Sequence, residues 1–136
     1  MNWGQDDHTL VFNDVDTDTW TPQLVRLDPL TGESEKTPGG VYHVSPDGRY
    51  AVAASTERMR RTQHGYGVLL PDEHVPVNIG APDDDGLFLT DLHTGERQLI
   101  LPLSEAFHAL PDLQEQSLDD WQIYGFHSKW APTASA

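Results

Sequence analysis

The stretch VYHVSPDGRYAVAAS (residues 41–55) places a Ser-Pro-Asp-Gly turn between two short runs of β-forming residues. Proline fixes φ at about −65° and lacks an amide hydrogen, whereas glycine adopts positive φ without steric cost. The sequence therefore predicts a tight turn at Pro46-Asp47-Gly48 with a strand on each side.

Four further runs have the composition of strands, being rich in β-branched and aromatic residues and bounded by Gly, Pro, Asp or Asn. They are TLVFNDV (9–15), QLVRLD (23–28), GLFLTDL (86–92) and RQLILPL (97–103). DPLTGE (28–33) and DLHTGE (91–96) each place a Thr-Gly pair at a hairpin tip. Residues 103–122 favour a helix, with Ser104 as N-cap and Pro111 ending it early.

An internal repeat connects these runs. LVRLDPLTGE (24–33) and LFLTDLHTGE (87–96) share a frame in which Gly32 matches Gly95. VSPDG (44–48) has a weaker echo in WAPTA (130–134), where Pro46 matches Pro132. The repeating unit is thus a group of four short strands, interrupted by inserts at 57–85 and 104–122.

These motifs resemble the blade repeat of TolB-like and oligogalacturonate-lyase-like bacterial β-propellers, a WD40-like architecture. The resemblance rests on SPDGRY (45–50) and GLFLTDLHTGERQLIL (86–101), and covers about residues 9–132. The insert RMRRTQHGYGV (58–68), followed by PDDDGLF (82–88), is similar to a linker in uncharacterised bacterial propellers of this kind.

The resemblance implies an all-β fold of antiparallel four-stranded blades that form an incomplete propeller. Residues 1–40 would end one blade, residues 41–103 would form a complete blade with an insert at 57–85, and residues 104–136 would hold a linker and the first strand of a further blade at 125–132. We expect a fragment, a truncated product of a longer gene, or a protomer that completes its sheet with other copies. The alternative is a self-contained small β domain. Open sheet edges in the incomplete propeller would favour self-association.

The charge of the chain restricts its partners. It has 22 acidic and 8 basic residues, a formal net charge of −14. Nucleic acid is not expected as a partner, because counterion release needs several clustered Lys or Arg and only Arg58, Arg60 and Arg61 cluster. No apolar run approaches the ~20 residues that span a bilayer, and MNWGQDDH (1–8) lacks signal-peptide features. The absence of cysteine fits the cytoplasm and also permits export, so localisation stays open.

Aligning the two proline-containing turns defines a candidate binding site. The alignment places His43 opposite Lys129 and Val41 opposite His127. Strand alternation then puts His43, His127 and Lys129 on equivalent faces of neighbouring blades, beside the channel of a propeller. The alternative is that the two histidines simply pack and form hydrogen bonds between blades.

The insert contributes the remaining ligand-binding candidates. Arg58, Arg60 and Arg61 would pair with carboxylates, and His64 and Tyr66 would help to close the site. The alternatives are a solvated charged loop and, for Tyr66, an anchor of the insert on the sheet. Positive charge concentrated on an acidic chain favours a carboxylated ligand such as an acidic oligosaccharide, or an acidic protein.

Two functions follow. The first is a binding or scaffolding module for carbohydrate or protein. The alternative, implied by the lyase resemblance, is part of a uronate lyase that uses manganese held by His and Gln side chains for β-elimination. Gln122 and His127 are the candidate metal ligands, at a longer spacing than in the lyases, and Lys129 is the candidate catalytic base. No other cofactor is indicated, and whether the chain is an enzyme stays open.

Overall fold

The chain is mainly β in a computed structural model that describes residues 2–3, 8–110 and 120–131. This part of the chain has eight strands in two antiparallel four-stranded sheets, which confirms the all-β prediction. The first sheet contains β1 (Asn2–Trp3), β2 (Leu10–Asp16), β3 (Thr21–Leu27) and β4 (Ser34–Pro38). The second contains β5 (His43–Val44), β6 (Tyr50–Ala53), β7 (Gly86–Asp91) and β8 (Arg97–Pro102). In both sheets the strands lie side by side in chain order, and neither sheet closes on itself within the described residues.

The predicted turn at Pro46-Asp47-Gly48 joins β5 to β6. Gly48 has a φ of 72°, and its amide donates to the carbonyl of Ser45 over 2.8 Å. The Ser45 hydroxyl donates to Asp47 Oδ1 over 2.5 Å. This hydrogen bond is the main cause that lowers the pKa of Asp47.

The β3–β4 and β7–β8 hairpins are built by the same bonds. Gly32 and Gly95 have φ values of 76° and 77°, and each amide donates to the carbonyl of the loop's first aspartate over 2.8 Å. In both loops that aspartate's side chain accepts the amide two residues ahead over 2.9 Å. At Asp91 this bond, from His93, is the main cause of a lowered pKa. The matching sequences 24–33 and 87–96 therefore have matching structures.

The helix is shorter than predicted and begins differently. α1 spans Leu103–His108, and its N-cap is Pro102, so the prediction of Ser104 as N-cap is wrong. The amides of Leu103 and Ser104 already donate to the carbonyls of Asp85 and Pro82, at the end of the insert, over 2.8 and 3.2 Å, which leaves no need for a side-chain cap. The predicted stop at Pro111 lies outside the described residues. No helix in the described part of the chain is long and apolar enough to cross a bilayer.

The two sheets pack face to face. The core between them consists of Val11, Leu24, Val41, Val44, Ala51 and Leu92, all at most 8% exposed. Hydrogen bonds reinforce this packing: the Asn13 side chain donates to the carbonyl of Val41 and accepts its amide, both over 2.7 Å. Arg26 Nη1 donates to the carbonyl of Leu92 over 2.6 Å. The sheets are therefore joined by apolar contact and by side-chain to backbone bonds.

The insert at 57–85 folds back onto the first sheet. It contains two short 3-10 turns, Met59–Arg61 and Asp72–His74. Buried Val68, Leu70 and Val75 form a second apolar cluster, against which Val15 and Trp20 of the first sheet pack. The insert thus covers one end of the first sheet rather than projecting from the second.

The C-terminal segment does not form the expected strand. Residues 125–131, where we predicted the first strand of a further blade, have no strand assignment, and residue 132 lies outside the described residues. The chain is instead attached by a parallel bridge between Gly80 and Gln122 and by contacts with the second sheet. Among the described residues, this segment pairs with no strand. It lies instead against the side of the second sheet that is turned away from the first sheet.

Candidate functional site

The second sheet has one face packed on the first sheet and one face turned away from it. Val44 and Ala51 belong to the core between the sheets and define the inner face. Successive residues of a strand point to opposite faces, so His43 and Val52 lie on the other side of the sheet, here called the outer face. Val52 pairs with both His43 and Leu89, which places Leu89 on the outer face as well. The residues of the candidate site can be placed relative to these two faces.

A groove of about 320 Å³ lies on the outer face. Ala54, Leu87 and Leu101 of the second sheet contribute to its lining. Leu103 and Ala106 of α1 and residues 125–129 of the C-terminal segment form the remaining walls. Most of these side chains are apolar, so the groove has the character of an open packing surface.

His127 and Lys129 lie on the same surface. Both side chains are exposed, and both line this groove. The His127 ring lies 5.2 Å from the ring of Tyr42 and 4.4 Å from that of Phe126, measured between centroids. The hydroxyl of Ser128, between them in sequence, is buried without a hydrogen-bond partner among the described residues. The C-terminal segment therefore supplies the polar side of the groove.

His43 does not join them. It is half-buried on β5 and is absent from the lining of the groove. Its Nδ1 accepts the amide of Trp130 over 3.0 Å. At His43 the structure therefore shows the alternative of packing and hydrogen bonding, in which the side chain holds the C-terminal segment against the sheet.

The three arginines of the insert point to acceptors within the chain. Arg58 Nη1 donates to a serine hydroxyl over 2.9 Å and lies 3.7 Å from Asp85 Oδ1. Arg60 donates to a backbone carbonyl and to a carboxylate of the insert. Arg61 donates to the carbonyl of Val75 over 2.8 Å. These guanidinium groups hold the insert together and do not converge on the groove.

His64 and Tyr66 lie in a separate part of the insert. Both line a cavity of about 200 Å³ formed by the glycine-rich loop. The Tyr66 ring also makes an edge contact with Phe126, with 5.1 Å between centroids. Tyr66 therefore connects the insert to the C-terminal segment at the wall of the groove, and not to the sheet on which the sequence offered it as an anchor.

The candidate metal ligands do not form a site by themselves. Gln122 is exposed, and its Oε1 accepts the hydroxyl of Tyr124 over 3.2 Å. Across the described ranges, no three or more His, Cys, Asp or Glu side chains come close enough to hold a metal ion. A manganese ion bound through Gln122 and His127 would need further ligands, so the manganese site stays a prediction.

Sequence reasoning missed a buried polar cluster beneath the insert. Asp85 is 1% exposed and accepts the side-chain amide of Asn78 over 2.7 Å. Arg97 places its guanidinium carbon 3.7 Å from the centre of the Phe88 ring, and burial lowers its pKa. Asp85 belongs to an Asp-Asp-Asp run that is typical of a surface turn. Nothing in the sequence therefore indicated that Asp85, unlike Asp83 and Asp84, is buried.

Leu87 was also missed as a site residue, although a signal was available. The repeated frame matches Leu87 with Leu24, a core residue of the first sheet. The match between the two leucines was visible in the sequence, whereas their different exposure required the structure.

No protein-family model matches the chain, and comparison with curated proteins and with solved structures found no significant match. The resemblance to TolB-like propellers therefore stays a prediction that rests on the turn motifs.

Proposed function

We propose that this chain is a propeller-type scaffolding module that binds another β-sheet through the outer face of its second sheet. One observation carries the proposal: two matched leucines have different surroundings. Leu24 is 1% exposed beneath the second sheet, whereas Leu87, its match in the repeat, is half-buried and lines an open groove. In the part of the chain that the structure describes, the outer face thus repeats a packing surface that carries no second sheet.

The C-terminal segment supports this interpretation. At the contact between the two sheets, the stretch that precedes β5 contributes Val41 to the core, held by Asn13. On the outer face, Gly125 approaches Ala54 so closely that a Cβ on the glycine would lie 3.1 Å from the Ala54 methyl. A connecting segment therefore lies on each of the two faces, and among the described residues no second sheet covers the outer face.

A protein partner agrees better with the groove than a carbohydrate does. A sugar site needs several polar groups placed around the ligand, and this groove is lined mainly by leucine, alanine and glycine. The observation that favours an acidic oligosaccharide is the pair of exposed side chains His127 and Lys129 on one wall. The uronate-lyase alternative receives less support, because the arginines of the insert bind acceptors of the chain itself.

A tandem protein tests the proposal. Two copies of the full chain, joined by a Gly/Ser linker of about 15 residues, place a first sheet within reach of the outer face at millimolar effective concentration. We expect the tandem to unfold at a higher urea concentration than the single chain. Leu87→Glu in the leading copy should abolish the gain, whereas the same change in the trailing copy should leave it.

Equal stability of the tandem and the single chain would contradict the proposal. Calorimetric titration with acidic oligosaccharides examines the second candidate separately. If the wild-type chain binds them and Lys129→Ala loses binding at unchanged stability, the groove is a carbohydrate site.

A further inference from the structure

We infer that the outer face receives the first sheet of a second copy of this chain, so that copies stack head to tail. The inference rests on the proposed function, since it names the partner of the outer face. The sequence predicted self-association through open sheet edges, whereas the geometry favours contact between faces.

The packing within one copy supplies the template. Val11 and Leu24 of the first sheet face the second sheet, and the strand alternation leaves four apolar residues on the opposite side. They are Leu10, Phe12, Val25 and Leu27, here called the back face of the first sheet; Val25 is 3% exposed and the other three are half-buried. Leu10 pairs with Leu27 and Phe12 with Val25 across β2 and β3, so the four side chains form one patch.

The internal repeat matches this back face to a surface that already packs on a sheet. In the frame that matches Leu24 with Leu87, Val25 corresponds to Phe88 and Leu27 to Thr90. Thr90 pairs with Ala51 and is buried on the inner face of the second sheet. The inner face packs on the side of the first sheet that carries Leu24. The repeat matches the back face with the inner face, and Leu24 with Leu87. The back face of one copy should therefore pack on the outer face of another copy, which carries Leu87.

The interface is heterologous, because one copy contributes its outer face and the other its back face. Such contacts produce rings when the rotation closes and open stacks when it does not. An open stack continues growing through the same two surfaces, whereas a ring stops growing once it closes. A variant that lacks one surface can still bind through the other, and this property makes the inference testable.

Sedimentation velocity on three variants provides the test. Leu87→Glu blocks the outer face, Phe12→Glu blocks the back face, and Leu30→Glu changes an 82% exposed hairpin leucine that lies on neither. We expect the wild type and Leu30→Glu to form species larger than the 15.2 kDa monomer as concentration rises. Each blocked variant alone should remain monomeric. Their equimolar mixture should reach twice the monomer mass and grow no further.

Two outcomes would overturn the inference. The first is a wild type that stays monomeric up to millimolar concentration; the tandem protein then decides separately whether the outer face accepts a sheet. The second is a mixture that stays monomeric although the wild type associates, which would place the contact elsewhere. Leu101→Glu, at a groove residue that is 40% exposed, repeats the outer-face test if Leu87→Glu fails to fold.

Discussion

Replacing Asn13 with alanine should show how strongly the two sheets depend on each other. The Asn13 side chain forms two 2.7 Å hydrogen bonds with the backbone of Val41, which is 3% exposed. Removing the side chain leaves a buried donor and a buried acceptor unsatisfied, at about 1–3 kcal/mol each. Because Asn13 itself is half-buried, water reaches part of the space left, and we expect a total loss near the lower end, about 2 kcal/mol.

Urea denaturation followed by circular dichroism measures this loss. With an m-value of about 1–2 kcal/mol/M, the midpoint should fall by roughly 1–2 M while m stays constant. Asp14→Ala is the matched control, since Asp14 is exposed and, among the described residues, accepts a hydrogen bond from just the neighbouring amide of Val15. That variant should stay within about 0.5 kcal/mol of wild type. A loss below 0.5 kcal/mol for Asn13→Ala, or equal losses for both variants, would refute the reasoning.

Three further predictions concern the core, the insert and the hairpins. Leu24→Ala should cost about 2–5 kcal/mol in urea denaturation, because it opens a cavity at a 1% exposed position between the sheets. Gly67→Ala should lower the melting temperature more than Gly65→Ala: both glycines have positive φ, but a Cβ on Gly67 would overlap a backbone carbonyl and one on Gly65 meets nothing within 4 Å. Turn hydrogen bonds lower the pKa of Asp47 and Asp91 in the folded state, so the stability they contribute is present above the unfolded pKa of about 4 and is lost as pH falls through the folded pKa. Stability measured from about pH 5 down to pH 2 should therefore fall less steeply in the double variant Asp47→Asn/Asp91→Asn.

The sequence predicted best where structure depends on local chemistry. Turns at 46–48, 28–33 and 91–96 follow from residues that set φ or bond their own backbone, and all three formed as predicted. Strand extents were predicted less well. VYHVS (41–45) contributes only the two-residue strand β5, because the Val41 backbone bonds Asn13 instead of a neighbouring strand. That partner is 28 residues away in sequence.

The candidate site was harder to predict because its residues depend on tertiary contacts. Lys129 and His127 line the same groove, although the segment that carries them is not the strand from which the alternation was argued. His43 matched Lys129 and His127 in the alignment. Its Nδ1, however, accepts a hydrogen bond from the amide of Trp130. No acceptors for the cluster of Arg58, Arg60 and Arg61 could be identified from the sequence. The fold shows that serine, carboxylate and backbone carbonyl oxygens of the chain accept hydrogen bonds from these guanidinium groups. The groove itself lies between a sheet, a helix and the C-terminal segment, and no single stretch encodes it.

The position of the insert has a consequence for how the chain folds. β6 ends at Ala53 and β7 begins at Gly86, so their pairing must close a long loop, at an entropic cost that local hairpins avoid. The insert offsets part of this cost by docking Val68, Leu70 and Val75 on Val15 and Trp20 of the first sheet. The first sheet contains short-range hairpins and needs no such help. We therefore expect folding to proceed from the N-terminal half, with the first sheet acting as a template on which the loop is ordered before β6 and β7 meet.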